Sequence, residues 1–509
     1  MVNYLNFSFN NISIIAPLVV IIIAVANSVH IISIHKQALA AGMGRLSAMK
    51  HSLSYNFQPV SLAAFTTAIG FSSLNMTSSP AIQDFGQIVA IGIVFAYSLT
   101  FSMLPATMVW FTKMGTQNGK DQTVFMQSFL ERIINFTNTY DKPIFLIFTA
   151  LALGTAVLLP LNKTDFDRLD FIASEGDIRE YYDQVAKKLN RGPALTYAIK
   201  TPEANGIVNI DFLRKVEIFT QWLKSTENVE SVASLNDVLK TINQFINDRD
   251  PEYFYLPETE DTVENFLDAF RLVNSREFPI SGFVSDDLSA MTVFINATQI
   301  SNQELLNLDI QITQRFSEVF TDAALIHGSG LLLFSRMDEL VTTELLQGYS
   351  VSLLLITLTL VLGFGSPYFG ILSVLPNLLP ATIVFGFWAI LVGQLDPFVM
   401  MLFSISIGLV VDDTVHILSH YLESRRSGIP QSEAVAHSIL IAGPALTVTT
   451  LVLALGTTIL IFANTIYFQQ SAKLLVPIVV LALILDLVYL PTILKRFDNK
   501  FSDAPVTKI

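Results

Sequence analysis

Four ionisable residues, Asp412, Asp413, His416 and His420, interrupt an otherwise apolar run from 397 to 421. A charge at the centre of a bilayer costs about 2.5–3.5 kcal/mol on insertion scales, so such side chains persist there when something compensates for them. Asp412, His416 and His420 are spaced i, i+4, i+8, and Asp413 lies three residues before His416. That spacing sets all four on adjacent faces of one helix. Paired carboxylates beside a histidine, whose charge changes near neutral pH, can load and release protons. Asp412, Asp413 and His416 are therefore the expected proton relay, whereas His420 is expected to lie in a helix interface. Asp486, in the last apolar run, is a third intramembrane acid and joins the relay set, with a structural hydrogen-bond acceptor as its alternative role. Thr449 and Thr450, with Thr66 and Thr67, carry hydroxyls that could reach these acids, although threonines inside helices commonly bond their own backbone.

The elements that must position these residues are legible from composition. The 509 residues are 51% hydrophobic and 14% charged, with a mean hydropathy of +0.52, against roughly 25% charged in soluble domains. Runs long enough to cross about 30 Å of hydrocarbon, roughly 20 residues each, fall at 12–34, 58–77, 86–111, 143–161, 347–366, 369–393, 397–421, 438–463 and 471–494. Lys36, Arg45, Lys50, Lys113, Lys120, Arg132, Lys142, Arg425, Arg426, Lys495, Arg496 and Lys500 fall in alternate connections, which places those connections in the cytoplasm. The stretch Lys163 to Glu339 holds 30 acidic and 16 basic residues, which leaves 13 and 14 elsewhere, so the net charge of -13 arises within it. A charge-dense acidic segment between apolar runs predicts a water-exposed extracytoplasmic domain and argues against a nucleic-acid partner.

Within that segment, amphipathic stretches at 177–189, 210–225, 262–272 and 303–319 alternate with β-rich runs at 194–200, 206–210, 290–296 and 323–328. The pattern predicts an α+β domain of split β-α-β, ferredoxin-like type. The glycines of GSG at 328–330 read as a bend leading into the next helix, and Lys36 to Lys50, with Leu39, Leu46 and Met49, reads as an interfacial helix. With no cysteine, disulfides and Cys-ligated metals are excluded. No phosphate loop, metal-ligand spacing or nucleophile arrangement is visible, so neither an enzyme nor a metal or other cofactor is expected.

The chain also matches itself. At an offset of 386, His30 pairs with His416, Ser33 with Ser419, His51 with His437, Gly70 with Gly456, and Leu104-Pro105 with Leu490-Pro491; AVANSVHIISIH at 24–35 aligns with VVDDTVHILSHY at 410–421. This predicts two pseudo-symmetric transmembrane repeats, an architecture of transporters whose sites lie at the repeat interface near the midplane. The first copy lacks counterparts of 347–366 and 369–393, so the chain is expected to start mid-repeat. Ala26, Asn27 and Ser28 stand near the positions of the acids, leaving Asn27, beside His30, as a residue that orients an aspartate by a hydrogen bond.

The runs GLVVDDTVHILSHYLESRRSG at 408–428, ANSVHIISIHKQALAAG at 26–42, FTTAIGFSSL at 65–74, PAIQDFG at 80–86 and LPNLLP at 375–380 resemble the resistance-nodulation-division (RND) superfamily, in its MMPL-type branch of lipid and hopanoid exporters. The resemblance implies twelve helices and two porter-like outer domains in the whole protein, with this chain supplying helices four to twelve. It also implies export of lipids or other hydrophobic molecules from the inner membrane, driven by proton influx through acids of the fourth and tenth helices. Asp412 and Asp413 match the tenth-helix acids, and Asn27 falls where the fourth helix usually has an aspartate. The expected fold is thus a polytopic α-helical membrane protein of two repeats with an inserted α+β extracytoplasmic domain. Its segments are 1–112 (partial first repeat), 113–142 (cytoplasmic linker), 143–162 (anchor helix), 163–340 (porter-like domain), 341–496 (second repeat) and 497–509 (cytoplasmic tail). Its expected partners are the lipid bilayer, a hydrophobic or lipid substrate, further copies of itself, and a periplasmic or outer-membrane protein. Alternative functions are a non-transporting, sterol-sensing-like sensor or scaffold and an accessory subunit of protein export.

Overall fold

The computed structural model describes residues 7–8, 10–111, 120–163, 180–181, 184, 194–273, 282–298, 300–463 and 466–498; most of the helix expected at 177–189 lies outside them. The chain begins with α1 (Ala16–Ala40), α2 (Arg45–Ser72), α3 (Pro80–Phe111), α4 (Lys120–Thr139) and α5 (Asp141–Leu158). There follow β1 (Ala194–Lys200), α6 (Ile210–Ser225), β2 (Val229–Ala233), α7 (Leu235–Ile246), α8 (Glu260–Val273), β3 (Ala290–Ala297), α9 (Asn302–Val319) and β4 (Ala324–His327). Then come α10 (Gly330–Phe364), α11 (Pro367–Leu372), α12 (Val374–Leu391), α13 (Pro397–Arg426), α14 (Gln431–Thr458), α15 (Ile466–Ile484) and α16 (Leu490–Phe497), with a π-helical turn at Leu485–Tyr489 joining the last two. Two compact units result, Met1–Thr164 with Leu340–Ile509, and Asp165–Glu339.

Among the described residues, eight helical segments are long and apolar enough to cross a membrane: Ser13–Ala40, Pro80–Phe111, Asp141–Leu161, Gly330–Phe364, Pro367–Leu391, Pro397–Arg426, Gln431–Phe462 and Phe468–Phe497. The protein is a multi-pass helical membrane protein. The ninth span expected, at 58–77, corresponds to most of α2, which falls outside this set. The physical reason is its buried polar face of Ser52, Asn56, Thr66 and Thr67. These groups are satisfied by neighbouring protein: Ser52 Oγ donates to the Ile31 carbonyl at 2.6 Å, and Thr67 Oγ1 donates to the Gly408 carbonyl at 2.8 Å. A helix walled in by other helices need not be as apolar as one facing lipid.

Lys36 to Lys50 is not a separate interfacial helix. It is the end of α1 and the start of α2, turned at Gly42 with φ +90°, and Met49 is buried. The stretch expected as a cytoplasmic linker contains α4, whose Leu130 packs against Gly443.

Helix-to-helix contacts frame the centre of this unit. α1 packs on α2 and α3, and α13 packs on α14 and α15; α2 lies against α13, and α14 lies against α1. A Cβ on Gly70 of α2 would stand 3.0 Å from the Gly408 Cα of α13, while a Cβ on Gly456 of α14 would stand 3.1 Å from the Ile22 Cδ1 of α1. Positions 456 and 408 lie one 386-residue offset beyond 70 and 22, and of the two contacts the α2–α13 one brings backbone against backbone.

In the second unit the sheet order is β2-β3-β1-β4 and every neighbouring pair is antiparallel. β1 and β2 are thus parallel with β3 between them, and β3 and β4 are parallel with β1 between them, the arrangement of two interleaved split β-α-β units. Leu195, Tyr197 and Ile199 of β1 and Met291, Val293 and Ile295 of β3 share a core with Leu213, Val216, Phe219, Ile312 and Phe316. The alternation of period two in the strands and of 3.6 in the helices places them there. The strand expected at 206–210 is instead a 3-10 turn, Gly206–Val208. Asn209 then caps α6, its side-chain oxygen accepting from the Asp211 and Phe212 amides at 3.0 and 3.1 Å, so capping chemistry outweighs a short β-branched run. The glycines at 328–330 lead into α10, as expected.

Glu217 and Lys240 form a largely buried ion pair between α6 and α7, joined by Asn236 Nδ2 at 3.3 Å. Burial alone would raise the Glu217 pKa, but the bonds from Lys240, Asn236 and Gln221 outweigh it and hold the carboxyl below its ordinary value. The pair's stabilisation is therefore complete above the ordinary glutamate range and is lost as pH falls through the depressed folded-state value. Glu217→Gln, which leaves the Lys240 ammonium without its counter-charge, should cost about 1–3 kcal/mol. Thermal unfolding followed against pH should show the variant lacking the acid-sensitive component present in the wild type.

Candidate functional site

The candidate residues stand on α13. Asp396 caps the helix, its Oδ1 accepting from the Phe398 and Val399 amides at 2.7 and 2.8 Å, Pro397 occupies the first turn, and Arg425 and Arg426 lie in the last. These are the residue types that helix ends favour. Between the ends the helix is buried on nearly all sides, so its titratable side chains meet protein.

His416, wholly buried, stacks face to face on His30 of α1, with ring centroids 3.5 Å apart and planes 8° from parallel. Asp412 Oδ1 lies 3.5 Å from His416 Nε2. Asp413 accepts from Thr450 Oγ1 at 3.5 Å, a bond at the outer limit of usefulness. Asp486 sits in the π-helical turn, where its Oδ1 accepts from Thr414 Oγ1 at 2.7 Å. Turns of this kind recur at functional sites. Among the described residues, Asp412 Oδ1, Asp486 Oδ2, His30 Nε2 and both ring nitrogens of His416 are buried with no hydrogen-bond partner.

The fold thus brings together Asp412, Asp413, His416, Asp486, His30 and Thr450. Thr449 is not among them; its hydroxyl bonds the Leu446 carbonyl of its own helix. Asn27 is buried, but its Nδ2 is without a partner among the described residues, so the expected amide-to-carboxylate bond is not formed. Thr414, which sequence reasoning missed, is the donor that holds Asp486; it lies beside Asp413 in the quoted VDDTVH run, and its signal was a hydroxyl adjoining the acids.

One ligand atom each of His30, Asp412 and His416 lies within 4.8 Å of the others, a proximity that sequence spacing did not reveal. A metal bonds imidazole in the ring plane at about 2.0–2.1 Å, and two near-parallel rings with centroids 3.5 Å apart do not share such a point unless one tilts. The arrangement suits proton exchange better than metal binding.

The MMPL family model matches residues 4–133 and 221–497, which include α1 to α3 and every residue of the site. The chain belongs to the MMPL family. That family lies within the RND superfamily, and its members are transporters. The chain is also similar to a membrane protein of Methanocaldococcus jannaschii, 23% identical over 355 residues, covering 67% of this chain and 86% of the relative. In this MMPL protein Asp413 and Asp486 each accept from a single hydroxyl, that of Thr450 and of Thr414. Thr414→Val should cost about 1–3 kcal/mol by leaving a carboxylate oxygen without its donor, and the loss should shrink when Asp486 is replaced by Leu as well, since removing both partners is nearly neutral. Thermal unfolding of the two single variants and the double variant checks this.

Proposed function

We propose that this protein exports a hydrophobic, lipid-like molecule from the inner membrane using the proton gradient, and that it is not an enzyme. The observation that carries the reading is three carboxylates, Asp412, Asp413 and Asp486, held inside the helical unit without a Lys or Arg ion-pair partner among the described residues. Carboxylates kept permanently charged there would be costly; carboxylates that gain and lose a proton are what a proton-driven cycle needs. A proton crossing the membrane releases about 2.3 kcal/mol per 100 mV and about 1.36 kcal/mol per pH unit. Asp412, Asp413, His416 and Asp486 carry that proton in this reading, with His30 and Thr450 in support.

The same reading includes two pseudo-symmetric repeats. A residue and its own equivalent touch only beside a two-fold axis, and His30 and His416 are equivalents that stack on one another. The twin contacts Gly70–Gly408 and Gly456–Ile22 support it independently. The basic residues in alternate connections support an extracytoplasmic position for 163–340 as a porter-like domain, where a periplasmic partner would meet it.

Replacing Asp412 and Asp413 together by Asn in the full-length protein keeps size and hydrogen-bonding capacity while removing titration. Folding should survive, and export of a lipid substrate from vesicles should fall to background and lose its response to an imposed pH gradient. Full gradient-dependent export by the double variant would overturn the assignment. A sensor or scaffold, in contrast, would show no gradient-dependent export in the wild type either.

A further inference from the structure

We propose that a column on α13, His416–His420–Glu423, carries protons between the buried acids and the Arg426 end of the helix. The proposal rests on the relay reading above and adds the route by which protons leave or reach it. From Asp412 the spacing is i, i+4, i+8, i+11, which keeps the four side chains on one stripe of the helix. Asp412 Oδ1 stands 3.5 Å from His416 Nε2, the ring centroids of His416 and His420 are 6.3 Å apart, and His420 Nδ1 stands 3.8 Å from Glu423 Oε2. The side chains of His416 and His420 are 0% and 2% exposed and that of Glu423 is 57% exposed. The stripe therefore runs from the sealed interior to solvent.

Two features separate this column from ordinary packing. His420 Nδ1, like both nitrogens of His416, is buried with no hydrogen-bond partner among the described residues, although a histidine retained only for packing would be expected to satisfy them. Tyr55 of α2 stacks on the face of His420 at 4.5 Å and 12°, a contact that holds the ring by its face and takes up neither nitrogen. The other titratable groups around the column are His30 and His35 on α1, His51 and Tyr55 on α2, and His437 on α14. His30 is stacked on His416, His51 on Tyr55, and His437 bonds Ser424 at 3.0 Å. Glu423 is the group of this set that both reaches solvent and faces His420.

Each transfer moves one proton and changes only N–H and O–H bonds. A proton taken up by one nitrogen of His416 makes an imidazolium, whose other nitrogen releases a proton to His420; His420 passes its own to the Glu423 carboxylate, which yields it to water. Each imidazole ends neutral in the opposite tautomer and resets by ring rotation. The separations exceed hydrogen-bond length, so each step uses a bridging water or a small side-chain movement.

The test uses the full chain in lipid nanodiscs, jumped in pH, with the infrared carbonyl band of protonated carboxyl groups followed in time. The band that disappears in the Asp412→Asn, Asp413→Asn double variant reports the relay. His420→Phe keeps the stack on Tyr55 and removes both nitrogens; it should leave the amplitude of that band unchanged and slow its appearance at least about tenfold. Added imidazole should restore the rate in His420→Ala, which leaves a cavity. Glu423→Gln, at an exposed position, should slow the band as well and serves if His420→Phe does not fold. Wild-type rates in both His420→Phe and Glu423→Gln would overturn the column while leaving the relay reading intact. A band indifferent to the double Asn variant would remove the relay reading and the column with it.

Discussion

A polar atom inside hydrocarbon is satisfied by protein or stands exposed to a large penalty, and this constraint organises the helical unit. Some of these atoms are paired: Ser52 and Thr67 each donate to a carbonyl of a neighbouring helix, and Thr414 donates to Asp486. Others are not. On α1, α13 and the π-helical turn, Asn27, His30, Asp412, His416, His420 and Asp486 each keep a buried nitrogen or oxygen without a partner among the described residues, as Tyr349, Ser352 and Asn377 do elsewhere in the unit. What marks the candidate site is that most of its unpartnered side chains are carboxyl groups and imidazoles, which can take up or release a proton.

The packing that brings these residues together depends on the absence of side chains. Gly70 against Gly408 lets α2 approach α13 closely enough for the Thr67 hydroxyl to reach the Gly408 carbonyl. The contact of Gly456 with Ile22, which the proposed repeat makes its counterpart, has a side chain on one face and is the wider of the two. The chemistry is unequal as well. Ala26 and Asn27 occupy the positions equivalent to Asp412 and Asp413, which makes the proposed relay one-sided, with the first half contributing an imidazole ring and no carboxylate.

The Asp165–Glu339 unit obeys different rules because it is suited to water. Its core is formed by strand alternation and amphipathic helices, its buried Asp309 takes bonds from Tyr197, His327 and Arg336, and its helices begin with side-chain caps at Asn209, Ser234 and Ser301. It carries the charge that the helical unit excludes, which is why one segment accounts for the acidity of the whole chain.

By itself the sequence determined what depends on local pattern and on transfer from water to lipid. Long apolar runs marked the membrane helices, period-two runs marked β1 and β3, and acids within an apolar helix marked the residues whose burial needs compensation. The second helix, expected as a span, falls outside the set that length and apolarity mark, because hydropathy reports the average composition of a helix and not which face is walled in by protein. The sequence misread 206–210, where a cap decided between strand and turn. Only the tertiary structure decided that His30 stacks on His416, that Thr414 and not Thr449 serves an acid, and that Asn27 Nδ2 makes no bond among the described residues. Those outcomes turn on side-chain directions at helix crossings between residues far apart in the chain, which no local pattern encodes.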